Sequence, residues 1–517
     1  MKKIFAAVAL TLCVAMLFSL CACSSGNDDY KVNYDIDLSV KPDLKILMPN
    51  SGYDIGKVNS SATAKLIENI TGYKATYTQL PSVDSSKTLN NELLDKRDYN
   101  AIKLTKDQFA DLVKDDMLVD ITEALQKFAP DMLDCISDES WDVVTVDGKI
   151  YGIPERASSD NIENPVVFNM DLLLQCNLEI PTTLDEFENV LKVLTEKIGK
   201  PALTFDKYTP LVYAVSAAFG ICSDWQEYTV GGETKVLYYM NAPRYNEYVD
   251  YMHGLYQKGY IDQSVATYTS SDCINNFVRG DSAAYACSLW TVPAIVNSLL
   301  VSDKIDKVQA SGTLEDYLGY LRALKGSDSD AEKVYRSSGY TYIVGIPFYM
   351  AENVGYVLDW MNSKVKDSDD AHNFRQIVIG DENVHWTYSA SQGYLPIDEK
   401  FAEKDDASYY LTGTNELKYT EYWKARVRKQ PELFRAWSVL MDNADSVGVY
   451  NIADFTPPIA DYNSARSTIE ENAQDWFYVM LREGSSKLSE YVTKLNGQYN
   501  GKVATDAIND WYKVYGK

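Results

Sequence analysis

At 517 residues the chain is too long for one small module and suits two or three lobes, each able to bury its own core. Its 46% hydrophobic and 24% charged residues are a globular composition, which excludes a disordered or fibrous chain. Lys plus Arg number 49 against 74 Asp plus Glu, and removing the first 22 residues, with only Lys2 and Lys3, takes the net charge from −25 to −27, which argues against nucleic acid as a partner.

Met1, Lys2 and Lys3 precede an apolar run from Ile4 to Ala22, after which the chain turns abruptly polar at Cys23, Ser24 and Ser25. A basic start, an apolar middle and a small-residue exit read as an export signal over residues 1–22. The tetrad Leu20, Cys21, Ala22, Cys23 resembles a bacterial lipobox, which puts lipidation on Cys23. An uncleaved anchor helix is the alternative, and both readings leave the bulk of the chain outside the membrane. Residues 23–41 lack a helix period and are expected to be a flexible stalk. Five cysteines remain, Cys135, Cys176, Cys222, Cys273 and Cys287. Their odd number and the lack of CxxC spacing speak against a zinc site and a disulfide framework. Buried thiols are the expected state, with a Cys273–Cys287 pair left open.

Residues 44–48 form a short apolar strand, followed by a helix from Ser61 whose Ala62, Leu66, Ile67 and Ile70 share a face and whose stop is Gly72. Tyr73 to Gln79 reads as a second strand, residues 100–104 as a third, and Lys106 to Lys114 as the next helix. This alternation predicts an α/β lobe with a mostly parallel sheet, whose ligands sit beyond the carboxyl ends of the strands. Thr183 and Glu186 form a capping box that opens a helix through Phe187, Val190, Leu191, Leu194 and Ile198 to Gly199. Another helix covers residues 352–366, with Val354, Val357, Leu358, Met361 and Val365 inward. Residues 326–330 read as a polar surface loop. From Thr414 onward the pattern is mostly helical, with Trp423, Trp437, Trp476 and Trp511 scattered through it.

The three histidines, His253, His372 and His385, have no metal-ligand or triad spacing, and no GxGxxG, GxxxxGK[ST] or GxSxG occurs. No cofactor and no metal is therefore expected. Acidic stretches at 328–330 and 367–370 lack the Gly and Glu of a calcium loop. A glycoside hydrolase needs only two carboxylates across a cleft, so with 74 acidic residues a surface-anchored polysaccharide-degrading enzyme, hydrolase or lyase, stays open as the second reading.

Four stretches carry a resemblance to a known family. Residues 147–154 read DGKIYGIP; 168–173 read FNMDLL and are followed at 180–187 by IPTTLDEF; 277–284 read FVRGDSAA with Trp290 six residues on; and 345–347 read GIP ahead of a helix through Asp359, Trp360 and Met361. Residues 380–386, GDENVHW, add to them, with Asn383 where Gly is usual, while Ala284 stands where Met is usual. The chain thus resembles the extracellular solute-binding lipoproteins of ABC importers, the family of maltose-type and other oligosaccharide binders in Gram-positive bacteria. The resemblance implies a two-lobed, type II periplasmic-binding-protein-like α/β fold: residues 42–155 and 340–385 as the first lobe, 156–339 and 386–517 as the second. It implies a monomeric, non-enzymatic receptor, lipid-anchored on the outer face of the membrane, that hands an oligosaccharide to ABC permease subunits. A peptide ligand or an adhesin role without transport stays open.

Sugars present apolar CH faces and hydroxyl edges, so aromatic platforms and planar polar side chains are sought. The composition fits, since 39 Tyr and 9 Trp outnumber 15 Phe and most rings carry a polar handle. Trp290 matches the family's stacking Trp, with a core anchor as the alternative. Glu155 and Arg156, with Asp160 and Asn161, follow the crossover strand and are candidates to hold hydroxyls, a solvated ion pair being the alternative for the first two. If Arg156 faces the cleft, an acidic sugar such as a uronate becomes a candidate, although the net charge opposes it. Asn50 and Tyr53 follow the first strand and Thr105 the third, where plain turns compete. Trp141 and Trp386 are candidate platforms against the alternative of burial.

Overall fold

Two sheets, each with its own core, organise the molecule; the computed structural model describes residues 30–49, 54–95, 98–156, 161–302, 314–326 and 332–516. The export signal, Cys23, Asn50, Tyr53 and Asp160 lie outside the described residues, as does most of the polar 326–330 loop. The first sheet runs in the order Ala75–Leu80, Leu44–Pro49, Ala101–Leu104, Tyr340–Gly345, Gly152–Arg156. Its first three strands are parallel, with Leu44 opposite Ala75 and Ile46 opposite Ala101, while Tyr340–Gly345 runs antiparallel to both its neighbours. The second sheet runs Leu318–Leu321, Val166–Asn169, Ala284–Ala286, Leu203–Thr204, with Val166–Asn169 antiparallel to its two neighbours.

The helices between these strands form where their end signals stand. Thr105 and Gln108 make a reciprocal capping box at the start of Lys106–Lys114, and Thr183 and Glu186 do the same for Leu184–Ile198. Gly72 and Gly199 close their helices in the left-handed conformation that a side chain resists. The face of Ala62–Thr71 is rotated from the expected one: Thr63, Ile67 and Thr71 are buried and Ala62 is exposed. Thr63 turns inward because its hydroxyl donates to Asp406 at 2.9 Å, a partner no local pattern announces.

Two segments cross between the sheets, Arg156 to Val166 and Leu321 to Tyr340, and Gly448–Tyr450 pairs in parallel with Val334–Arg336 of the second crossing. Ser337 N–H donates to the Asn161 carbonyl at 2.8 Å, tying the two crossings together. Residues 386–410, expected with the second lobe, carry Tyr409 and Tyr410 into the first core, where the Tyr410 hydroxyl donates to the Val58 carbonyl at 2.6 Å. The helices Ala460–Glu483, Leu488–Gly497 and Gly501–Tyr515 complete the second core.

The stalk expectation is corrected from Tyr30 onward. Tyr30, Val32, Tyr34, Ile36 and Leu38 pack against the first core, Tyr30 edge-on to Phe348 and Tyr34 stacked on Phe128. Lys41 ends this strap with an ion pair to Asp359 at 2.6 Å. The segment has no helix period because its period is two: an apolar residue at every other position lays one side on a surface.

Candidate functional site

Beyond the carboxyl ends of Leu203–Thr204 and Ala284–Ala286 lies a cavity of about 360 Å³. This is the sheet edge where ligands of such folds sit. Asp206 and Tyr208 come from the loop after the first of these strands, and Cys287, Ser288 and Thr291 from the loop after the second. Asn164 and Pro165 precede Val166–Asn169, the antiparallel neighbour of Ala284–Ala286, and Asp224, Tyr213 and Tyr239 form the wall. Glu470 and Gln474 reach in from the Ala460–Glu483 helix.

Local bonds fix this lining. Asp206 accepts from the Tyr208 amide at 2.9 Å and the Thr209 hydroxyl at 3.0 Å, and Tyr208 remains 66% exposed at the rim. The Tyr213 hydroxyl donates to Asp224 at 3.1 Å, and its ring stacks at 4.7 Å on Tyr335 of the second crossing, so the cavity wall rests on the hinge. Burial, with Glu470 nearby, pushes Asp224 up to about 7. Glu470 accepts from Arg466 at 2.8 Å, and the same guanidinium reaches Asp107 of the first lobe at 3.1 Å. Lys106 beside it donates to the carbonyls of Ala453 and Asp454, at 2.8 and 2.9 Å. The cavity therefore opens on the side where the lobes meet.

Trp290 stands between two lining residues, Ser288 and Thr291, and is 37% exposed. Its indole is edge-on to Trp423 at 5.4 Å and bonded to the Glu163 carboxylate. Asn161 also bonds to Glu163, and its own carbonyl oxygen accepts from the Trp437 indole at 2.9 Å. Asn161 is wholly buried, with its side chain spent on Glu163 and Trp437. Glu163 is pushed up to about 7, because burial outweighs these two hydrogen bonds.

The other candidates are placed elsewhere. Glu155, 2% exposed, pairs with Lys103 at 2.6 Å across the intervening Tyr340–Gly345 strand, inside the first lobe. Arg156 donates to the Ser338 carbonyl at 2.9 Å, pairs with Glu139 at 3.3 Å and lies over the rings of Tyr340 and Phe455. These contacts hold it among the crossings, which removes the ground for an acidic sugar at Arg156. Thr105 is spent on its capping box. Trp141 is buried, and Trp386, 3% exposed, donates to the Gly380 carbonyl at 2.9 Å and meets Tyr394 edge-on. Cys273 and Cys287 are free thiols. The lining residues Asp206 and Tyr208 were reachable by the carboxyl-end rule applied to residues 202–205. Asp224 and Glu470 carry no local signal.

Two lobes joined by crossing strands, with a ring-and-carboxylate cavity at the edge of the second sheet, define a two-lobed binding protein of the periplasmic type. Residues 62–412 match the bacterial extracellular solute-binding protein family, and the chain belongs to it. It is 30% identical over 162 residues to a carbohydrate ABC transporter substrate-binding protein of Streptococcus pneumoniae, covering 29% of this chain and 31% of that one. It is 28% identical over 214 residues to the polygalacturonan/rhamnogalacturonan-binding protein YtcQ of Bacillus subtilis, covering 40% and 39%. The chain thus spans about a third of the length of these two curated relatives. The structure of the S. pneumoniae substrate-binding protein FusA in complex with kestose shares the fold, with a TM-score of 0.63, 17% identity, and coverage of 92% of this chain and 99% of that one.

Proposed function

We propose that the protein is the substrate-capturing subunit of an ABC importer, anchored by a lipid on Cys23, and that it binds an oligosaccharide without altering it. The observation that carries this reading is the cavity at the carboxyl edge of the second sheet. It is built from tyrosine rings and hydrogen-bonding carboxylates, with the half-exposed Trp290 between two of its lining residues. Rings cover the apolar CH faces of a sugar while carboxylate and hydroxyl groups take its edges. The names of the two curated relatives support a carbohydrate, one of them without saying which, so the charge of the sugar has to be argued from this chain's own residues.

Crossing strands that join two separate cores allow capture by closure, in which the ligand stabilises the closed state through its differential affinity. The receptor works as a monomer and passes its cargo to permease subunits in the membrane. The test is a thermal-melt screen of the chain from Ser24 against neutral and acidic oligosaccharides, with each hit recovered and analysed. A ligand at about 100 times its Kd adds roughly 2.7 kcal/mol. Intact recovery supports the receptor, cleaved recovery moves the assignment to a polysaccharide-degrading enzyme, and silence across the panel refutes the carbohydrate assignment.

A further inference from the structure

The charges lining the cavity restrict what kind of sugar it takes. Its described lining holds three carboxylates, Asp206, Asp224 and Glu470, and no Lys, Arg or His. Glu470 is paired with Arg466, but that guanidinium is shared with Asp107, 3.1 Å from its other arm. Asp206 and Asp224 receive hydrogen bonds only from neutral groups in the contacts described above, namely the Tyr208 amide and the Thr209 and Tyr213 hydroxyls. Glu163, next to the lining Asn164, adds a further carboxyl behind Trp290. Lys207 lies over the Tyr208 ring at 4.9 Å, and Arg466, which favours the charged form of Asp224, is already engaged by Glu470 and Asp107.

Ionised carboxylates accept hydrogen bonds and donate none. They therefore suit sugar hydroxyls and repel a carboxylate placed among them. Unit charges about 4 Å apart at a protein surface interact strongly enough to change an equilibrium on the order of 100-fold or more. We propose, on the basis of the carbohydrate-receptor reading above, that the cavity selects sugars whose residues are uncharged and rejects uronates and other acidic sugars. The hydroxyls of the bound sugar donate to Asp206 and Asp224, and the three lining carboxylates act as a charge filter.

The experiment is calorimetric titration of the full mature chain at pH 7.5. One arm uses neutral trisaccharides of glucose, mannose, galactose and fructose; the other uses trigalacturonate and the same aldose trisaccharides oxidised to uronates at C6. The expected result is binding of at least one neutral trisaccharide and at least 100-fold weaker binding of its oxidised form. Raising NaCl from 50 to 500 mM should narrow that gap by screening. Asp206→Asn and Asp224→Asn should each narrow it about tenfold, and the salt series keeps the test decisive where a variant does not fold. Trigalacturonate binding as tightly as any neutral trisaccharide overturns the charge filter and leaves the carbohydrate receptor standing. A gap that salt does not move overturns it as well, since the discrimination would then be steric. Binding by neither arm brings down the receptor reading and the filter with it.

Discussion

Replacing Trp290 by Ala removes the ring proposed to stack on a ligand, and the size of the effect follows from its exposure. A tryptophan covers up to roughly 250 Å². With 37% of Trp290 open, about 90 Å² of ring is left for a ligand to cover. At about 25 cal/mol per Å² that area contributes ~2 kcal/mol, which is a loss of affinity of roughly 30-fold. The assay is calorimetric titration of the variant with an oligosaccharide found in the melt screen, alongside its unliganded melting curve. Trp290→Phe should recover part of the loss, because a smaller ring still covers a CH face. Glu163→Ala should weaken binding as well, because it frees the indole from the carboxylate that orients it. A Trp290→Ala protein that melts normally and binds within about threefold of wild type would refute the platform and leave the ring as a packing partner of Trp423.

The buried charges of the first lobe give a contrasting pair. Lys103→Met takes away the ammonium that favours the charged form of the buried Glu155 and should cost about 3 to 5 kcal/mol in urea unfolding. Lys364→Met removes an ammonium whose pKa burial and Lys103 both depress, and should change stability by less than about 1 kcal/mol. Glu163 has the opposite pH sign to a paired carboxylate. Its folded pKa is raised from 4.5 to about 7, so its protonated form favours the native state near pH 5 and that contribution is lost as pH rises towards 7. Melting curves of wild type and Glu163→Gln should therefore diverge across pH 5 to 7.5, by up to about 3 kcal/mol. Asp107→Ala breaks a half-exposed bridge between the lobes and should weaken ligand binding two- to fivefold, as titration would record. A chain starting at Pro42 lacks the Tyr30–Lys41 strap and should melt several degrees lower than one starting at Ser24, since five apolar side chains leave the first core uncovered.

Elements whose boundaries are written in neighbouring residues were legible. The capping box at Thr183, and the glycines that end the helices at Gly72 and Gly199, stand where their spacing puts them, while the box at Thr105 went unread because that residue was taken for a ligand group or a turn. The strap was missed because its signal was sought at the wrong period: residues 30–38 alternate strictly, and a search for helix repeats returns nothing from them. The packing of residues 386–410 was not legible for another reason. Tyr409 and Tyr410 join Tyr77 through contacts more than 300 residues apart in sequence, which no local pattern encodes.

The candidate site divides along the same line. Trp290 was marked by the short motif ahead of it, and its exposure fits the role given to it. Glu155 was misplaced because a charged residue at the end of an edge strand reads as exposed; its partner Lys103 lies two strands away, and the strand between them arrives nearly 200 residues later. Asn161 was picked as a ligand group for its planar amide, and the structure spends that amide on Trp437 and Glu163. A side chain suited to hold a sugar hydroxyl is equally suited to hold an indole or a carboxylate, so residue type alone does not separate a binding group from the group behind it. Burial separates them, and burial is set by where the crossings place the second sheet. The cavity's acidity has the same origin. Asp206 and Asp224 come from one stretch and Glu470 from a helix far along the chain, and each is one of 74 acidic residues until the fold puts all three around one space.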